Sequence, residues 1–123
     1  MSIRFVTELQ YRENLEKQCG MAPEALAQLR QCGVSEDKDL RLEVFFYTNS
    51  GATMKALADA LQLIGYEVEY GESAADDGTF IVTGWTSAIR MTEDVIISWT
   101  EKMCRIGFEH DAEFDGWGTN PNQ

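Results

Sequence analysis

Residues 40–47 read LRLEVFFY, and residues 54–64 read MKALADALQLI. In the first stretch apolar side chains recur at every second position, which is the period of a strand with one apolar face. In the second stretch apolar residues recur three and four positions apart, which is the spacing of an amphipathic helix. The polar residues between them, Asn49-Ser50-Gly51, suit a helix cap. These residues therefore predict a strand followed at once by a helix.

The alternation of strands and helices continues to the end of the chain. The further predicted elements are a strand at 66–70, a turn-rich acidic connection at 71–78 (GESAADDG), a strand at 79–85, a helix at 91–106 and a strand at 108–114. The order from residue 40 is therefore β-α-β-β-α-β. With right-handed crossovers, this order predicts an α+β fold of the ferredoxin-like type, a four-stranded antiparallel sheet with both helices on one face.

The first 34 residues are predicted to form a separate helical arm, and residues 35–123 form the domain just described. A break at Cys19-Gly20, followed by Pro23 at a helix-starting position, indicates two short helices in the arm. The second face of the sheet carries aromatic residues that need cover, namely Phe45, Tyr47 and Trp85. We expect the arm to lie over them, and contact with a second chain is the alternative.

Acidic residues outnumber basic residues by 21 to 10, which gives a formal net charge of −11. Residues 1–34 are balanced, so the whole excess belongs to residues 35–123, where six basic residues stand against seventeen acidic ones. A chain this acidic repels phosphate backbones and anionic lipids, so we expect no direct binding of nucleic acid or membrane. The excess either steers a basic protein partner or serves only to keep the chain in solution.

No group of residues has the spacing of a catalytic or metal site. Cys19, Cys32 and Cys104 form no CxxC pair, which predicts reduced thiols in a cytoplasm rather than disulfides or zinc. His110 is the only histidine, and we interpret it as a hydrogen-bonded structural residue. The first 17 residues carry charges throughout, which predicts no signal peptide. We therefore predict a cytoplasmic protein that is not an enzyme and uses no cofactor or metal.

The most distinctive segment is EFDGWGT at residues 113–119. Two glycines around Trp117 permit a tight turn, after which the indole either packs back on the helices or projects outward. We expect the inward position, in which Trp117 closes the core. The outward position would make it an aromatic contact for a partner.

With this segment, the chain resembles the regulator of ribonuclease E activity B family over roughly residues 40–119. The stretch VFFYTNSGATMKALADALQLIGYEVEY is similar to the family's first strand and helix, and DDGTFIVTGWTSAI is similar to its third strand. The helix with Trp99 and Met103 is similar to its second helix. The resemblance implies a ferredoxin-like fold and a non-enzymatic activity, the binding and inhibition of an RNA-degrading endonuclease. The chain departs from the family in its neutral arm and in lacking a long acidic C-terminal tail.

We expect the partner to be a protein with a basic surface, and an endoribonuclease is the first candidate. The predicted partner-binding residues are acids of the last strand and the segment after it, with two tryptophans: Glu109, Asp111, Glu113, Asp115, Trp117 and Trp85. The acids would steer the partner, and a tryptophan would supply most of the affinity. One alternative is an immunity-type or adaptor-type inhibitor of another basic enzyme, and a second is a ferredoxin-like module that self-associates or binds a small ligand. The third is an unrecognised enzyme, which the missing nucleophile and base disfavour most. The sequence leaves the oligomeric state open.

Overall fold

In the computed structural model, which describes residues 4–74 and 78–123, three helices and two antiparallel sheets make up the fold. In chain order the elements are α1 (Glu8–Gln31), β1 (Asp39–Leu40), β2 (Glu43–Thr48), α2 (Gly51–Leu63), β3 (Glu67–Glu72), β4 (Phe80–Trp85), β5 (Ile89–Arg90), α3 (Glu93–Glu109) and β6 (Glu113–Gly118). The predicted connection at 71–78 includes residues 75–77, which lie outside the described residues.

The larger sheet has the strand order β3-β4-β2-β6, and each neighbouring pair is antiparallel. β1 and β5 form a second sheet of two strands. The mixed α+β class is therefore confirmed. The predicted sandwich is confirmed only in part, because the β1–β5 pair forms a second sheet that was not predicted. Each of these two strands is two residues long, which is too short to show a period in the sequence.

The core lies between the larger sheet and the helices. Val44 and Phe46 of β2 and Val82 of β4 are fully buried there, and Leu57 of α2 and Ile96 of α3 are fully buried opposite them. Burial along β2 alternates from residue to residue, as the predicted period of two requires. One face of the sheet therefore packs in the core, and the other face points away from it.

The N-terminal segment forms one helix of 24 residues instead of the two helices predicted. It begins at a capping box, in which the Thr7 hydroxyl accepts from the backbone N–H of Gln10 and the Gln10 side chain accepts from the backbone N–H of Thr7. Gly20 and Pro23 lie inside the helix. The predicted break was wrong because packing along α3 outweighs the helix penalties, about 1 kcal/mol for glycine and about 3 kcal/mol for proline.

Helix α1 lies beside α3 and along the outer edge of β6, so the prediction that the arm covers the second sheet face was wrong. Its side chains Ala22, Leu26 and Leu29 enter the same hydrophobic cluster as the sheet. At the edge, Asn14 Nδ2 donates a hydrogen bond to the carbonyl of Phe114 at 2.8 Å. The apolar stripe of α1 thus completes the helix layer. The division of the chain at residue 34 into an arm and a domain stays a prediction.

The last strand begins later than predicted. Helix α3 continues to Glu109 and β6 spans Glu113–Gly118, so the strand predicted at 108–114 was wrong over its first half. The Phe108 ring stacks on the Tyr11 ring of α1, with 4.5 Å between the ring centroids. This contact between residues distant in the sequence stabilises the last turn of α3 and overrides the local alternation.

Candidate functional site

The face of the larger sheet that points away from the helices carries an aromatic and apolar strip. We call this surface the open face, and its central residues are Phe45 and Tyr47 of β2 with Ile81, Thr83 and Trp85 of β4. Each is half-buried, and across 4–74 and 78–123 no helix packs against the strip. The strip exists because the residues between these positions point into the core, as the two-residue period requires.

Trp85 stands between two glutamates on the open face. In the strand register, Glu43 of β2 and Glu67 of β3 lie opposite Trp85 on its two sides. Directly opposite residues of an antiparallel pair point to the same face, with Cβ atoms about 4.5–5.5 Å apart. A cationic side chain above the indole ring would therefore meet a carboxylate on either side.

Further carboxylates border the strip. Glu69 points to the open face from β3, and Glu113 points to it from β6. Arg41 forms an ion pair with Glu67, with 3.1 Å between Nη2 and Oε2. The Glu67 side chain is 75% exposed and the Arg41 side chain 44% exposed, so water screens the pair. Arg41 Nε also donates to the carbonyl of Thr86 at 2.9 Å. The border of the open face is thus mostly acidic.

A shallow cavity of about 300 Å³ opens beside Trp85, and its other lining residues are Arg41, Glu67, Asn120 and Gln123. The Gln123 side chain accepts from the backbone N–H of Arg41 and donates to the carbonyl of Arg41, each at 2.8 Å. These bonds fix the C-terminal residues at the rim. A volume at the low end of the range for ligand pockets suits one side chain of a partner.

The four predicted acids do not share one strand. Glu113 and Asp115 lie on β6, and Asp115 stands where the register between β6 and β2 shifts. Glu109 is the last residue of α3 and pairs with Arg105, with 3.8 Å between the charged atoms. Asp111 lies in the turn between α3 and β6. Only the pair on β6 adjoins the open face.

Asp111 makes contacts inside the protein. Its carboxylate accepts hydrogen bonds from the backbone N–H groups of Phe5 and Val6, at 3.0 and 2.9 Å. Arg4 approaches the same carboxylate at 3.6 Å and places its guanidinium over the Phe108 ring, 4.4 Å from the centroid. Asp111 has a positive φ of 55°, a conformation that aspartate tolerates better than most residues. It therefore ties the start of the chain to the turn after α3.

The turn after α3 is close-packed. His110 Nδ1 lies 2.9 Å from the carbonyl of Ile106, to which it donates, and this is the kind of structural contact expected for the only histidine. A Cβ at Gly107 would lie 2.8 Å from the carbonyl oxygen of Ala112, so a larger residue would push the turn apart. Glycine at this position therefore lets the helix pass close to the start of β6.

Trp117 takes the inward position that the sequence favoured. It lies opposite Val44, on the core side of the sheet, and meets Trp99 edge-on with 6.1 Å between the ring centroids. Gly116 has a φ of 124°, a conformation that glycine adopts readily, at the point where the register shifts. Trp117 therefore closes the core beside α3, and it lies on the opposite side of the sheet from Trp85.

The three cysteines are free thiols in different surroundings. Cys32 is exposed, Cys19 is half-buried and Cys104 is buried. Burial, followed by the proximity of Cys19 and Glu101, raises the pKa of the Cys104 thiol to about 12. Among the described residues, no group of three or more His, Cys, Asp or Glu side chains could hold a metal ion. In the same residues, no helix is long and apolar enough to cross a membrane.

Sequence reasoning missed the contribution of β3 to the site. The sequence predicts a strand at 66–70, but it does not by itself place Glu67 and Glu69 on the aromatic face. The alternation Glu67-Val68-Glu69-Tyr70 was the available signal. It became informative only with the register, which places Glu67 beside Trp85.

Comparison with known proteins identifies a family and a relative. A family model described as "Regulator of ribonuclease activity B" matches residues 22–119. A relative with the same description, from Photobacterium profundum, is 28% identical over 116 residues, which cover 90% of this chain and 86% of the relative. The matched residues include every strand of the larger sheet and therefore the whole open face.

Proposed function

Because the chain belongs to the regulator of ribonuclease activity B family, we propose that it regulates a ribonuclease by binding a protein, without catalysing a reaction of its own. The family description supports a regulatory role and, through it, a ribonuclease as the protein bound. We further propose that the bound surface is basic and that binding takes place in the cytoplasm, where free thiols such as those of this chain persist.

The observation that carries the proposal is the position of Trp85 between Glu43 and Glu67. An arginine or lysine of the partner would stack on the indole while its charge meets the two carboxylates. A cation over a tryptophan ring contributes about 0.5–2 kcal/mol, depending on how far it is desolvated. Charge-assisted hydrogen bonds to carboxylates are roughly twice as strong as neutral ones. The open face thus combines an aromatic contact with complementary charge.

The strip and its border have different tasks in this proposal. Phe45, Tyr47 and Ile81 offer apolar area, whose removal from water supplies affinity. The acids around them raise the rate of association and select against acidic partners. Binding should therefore become slower as salt is added, while the dissociation rate changes less.

The predicted binding residues divide into those on or beside the open face and those that lie away from it. We keep Trp85, Glu113 and Asp115 in the proposed surface, because they lie on the open face or at its β6 border. Asp111 and Trp117 make internal contacts, so we propose that they support the fold rather than touch the partner. Glu109 lies at the end of α3, away from the strip.

We also propose that the four strands of the larger sheet, with α2 and α3, form a ferredoxin-like unit. The strand order β3-β4-β2-β6 and the positions of the two helices along the chain support this assignment. In this description, α1 and the β1–β5 pair are additions to that unit. They leave its second sheet face free, which is the surface that the proposed function needs.

The test is a binding assay with a purified endonuclease of the ribonuclease E type, at low and at high salt. The variant Glu67→Lys/Glu69→Lys reverses two charges on the open face, and Glu16→Lys/Glu24→Lys makes the same change on exposed positions of α1. We expect the association rate at low salt to fall about tenfold or more for the first variant only, and the difference to shrink at high salt.

Three results would count against the proposal. Equal slowing by both variants would show that net charge alone matters, and no binding by the native chain would remove the ribonuclease as partner. A dimer that dissociates when Trp85 is replaced by alanine would instead favour self-association through the open face. Sedimentation of the free chain at several concentrations decides this last point.

A further inference from the structure

The two edges of the larger sheet differ in how they are covered. At the β6 edge, Asn14 and Gln18 of α1 donate side-chain hydrogen bonds to the carbonyl of Phe114, at 2.8 and 3.4 Å, and the register shift bends the strand. At the other edge, β3 pairs with β4 and, within the described part of the chain, with no other strand. The backbone of β3 is therefore the place where another strand could pair.

The hydrogen-bond pattern identifies the backbone groups that β3 presents. The N–H of Ser73 donates to the carbonyl of Thr79 at 3.0 Å, and the register continues from the pair Glu72–Phe80. In an antiparallel ladder, hydrogen-bonded pairs alternate with pairs whose N–H and C=O groups point outward. The residues with outward backbone groups are therefore Val68, Tyr70 and Glu72. Together they present three donors and three acceptors along one line.

Side chains on the two sides of β3 differ in character. Glu67 and Glu69 point to the open face, whereas Val68 and Tyr70 point to the helix side. Tyr70 is 48% exposed, and the end of α2 just before β3 adds Leu63 at 87% and Ile64 at 40%. A strand placed beside β3 would therefore meet carboxylates with one set of alternate side chains and apolar surface with the other.

We propose that the β3 edge binds an extended segment of a partner protein, in which lysine or arginine alternates with apolar residues, by adding it as a fifth strand to the sheet. Main-chain hydrogen bonds to Val68, Tyr70 and Glu72 give the affinity, and the alternate side chains give the specificity. The basic residues of the segment lie along Glu67 and Glu69, and its apolar residues lie along Val68 and Tyr70.

The same edge rejects a second copy of this chain. Two β3 strands paired edge to edge would make glutamates of the two copies direct or diagonal neighbours on one face of the sheet, depending on register, and these like charges repel. A line of glutamates thus prevents self-association, as charged side chains on edge strands commonly do, while it attracts a basic strand. Charge complementarity therefore selects the occupant of this edge.

This inference deepens the proposed function, since it names the kind of segment that the partner contributes next to the open face. It is tested without the ribonuclease, so the two can fail separately. The probe is an acetylated and amidated peptide of alternating lysine and valine, seven residues long. Its control is the same peptide with N-methyl groups on the residues whose N–H groups would face β3, which removes the hydrogen bonds and keeps the side chains.

Nuclear magnetic resonance of the ¹⁵N-labelled full chain gives the readout. We expect the unmodified peptide to slow hydrogen exchange at the amides of Val68, Tyr70 and Glu72, and to bind roughly tenfold or more tightly than the N-methylated control. Equal affinity of the two peptides, or shifts confined to residues outside β3, would overturn the inference.

A matched pair of variants tests the same point from the side of the protein. Tyr70→Pro removes an outward N–H without removing a hydrogen bond to β4, and Tyr70→Thr removes the ring but keeps the N–H. We expect the proline variant to lose most of the peptide binding and the threonine variant to keep more of it. Equal losses would contradict strand addition. If the proline variant does not fold, strand addition is tested by comparing the affinities of the unmodified and N-methylated peptides for the native chain.

The ribonuclease assay separates the two proposals. Binding of the ribonuclease by the native chain together with no binding of the peptide overturns the strand addition and leaves the proposed function in place. Binding of the peptide without binding of the ribonuclease overturns the proposed function and leaves the strand addition in place.

Discussion

Phe45 and Phe46 are neighbours in β2 and are chemically identical, yet they lie on opposite faces of the sheet. Phe46 is fully buried, and its ring centroid lies 5.2 Å from that of Phe114. Phe45 is half-buried on the open face, where no helix among the described residues packs against it. The period of two thus places a core residue and a surface residue side by side within a single strand. The two tryptophans differ in the same way, since Trp117 lies on the core face and Trp85 lies on the open face.

The largest effect should come from removing the buried member of the phenylalanine pair. Phe46→Ala leaves a cavity between the sheet and the helices, and we expect it to lower the free energy of unfolding by about 3–5 kcal/mol. Phe45→Ala removes a half-buried ring and should cost about 1 kcal/mol, within the ordinary range for a point mutation. Urea unfolding of both variants measures the difference. Similar losses would show that the open face is covered in solution.

The tryptophan on the core side should also matter for stability. Trp117→Ala removes the edge-on contact with Trp99, and we expect a loss of about 2 kcal/mol, less than for a fully buried aromatic residue. Binding of the ribonuclease by the folded variant should not change. Weaker binding at a temperature where the variant is fully folded would place Trp117 in the interface instead.

Asp111 is predicted from the sequence to bind the partner, whereas in the structure its carboxylate makes contacts inside the protein. Asp111→Ala leaves the N–H groups of Phe5 and Val6 without their acceptor, and we expect a loss of about 1–2 kcal/mol. Hydrogen exchange at these two amides should become faster, while ribonuclease binding should stay the same. Reduced binding with unchanged exchange would restore Asp111 to the binding surface.

The smallest effect on stability at neutral pH is expected from ionisation of the Cys104 thiol. Its pKa is about 12 in the folded chain because of burial, against 9.0 for an ordinary thiol. Above pH 9 the unfolded chain loses this proton while the folded chain keeps it, so stability falls as the pH rises from about 9 towards 12. The stability difference between the native chain and Cys104→Ala should therefore narrow over this range. A constant difference would show that the thiol is not buried in solution.

Labelling with a thiol reagent gives an independent check of the same burial. We expect Cys32 to react at once, Cys19 to react slowly and Cys104 to react only when the chain unfolds. Mass spectrometry of the labelled chain with time distinguishes the three. Reaction of Cys104 at the rate of Cys32 would contradict the packing of α1 against α3.

Much of the fold could be predicted because the core residues recur at the period of a strand or of a helix. The period of two in residues 40–47 places Phe46 inside and Phe45 outside, and the helical spacing around Leu57 identifies α2. The continuity of α1 and the last turn of α3 could not be predicted. Both depend on contacts between distant residues, such as the Tyr11–Phe108 stacking, which leave no periodic signal in either segment.

The residues of the proposed binding surface were predicted in part for the same reason. Trp85 was correctly placed on the face that points away from the helices. The grouping of Glu109 and Asp111 with Glu113 assumed one continuous strand, and it failed once α3 was found to extend to residue 109. The position of Glu67 beside Trp85 depends on the register between β3 and β4, and register is fixed by the turn between the strands and the burial of both.

Binding through the open face is tested by the affinity of Trp85→Ala for a purified endonuclease of the ribonuclease E type. Leu9→Ala, at an exposed apolar residue of α1, is the control. Loss of a central aromatic contact costs about 2 kcal/mol or more, which is about 30-fold in affinity. We expect such a loss for Trp85→Ala with little change in unfolding free energy, and no loss for Leu9→Ala. Unchanged affinity of the Trp85 variant would contradict the assignment of the open face as the binding surface.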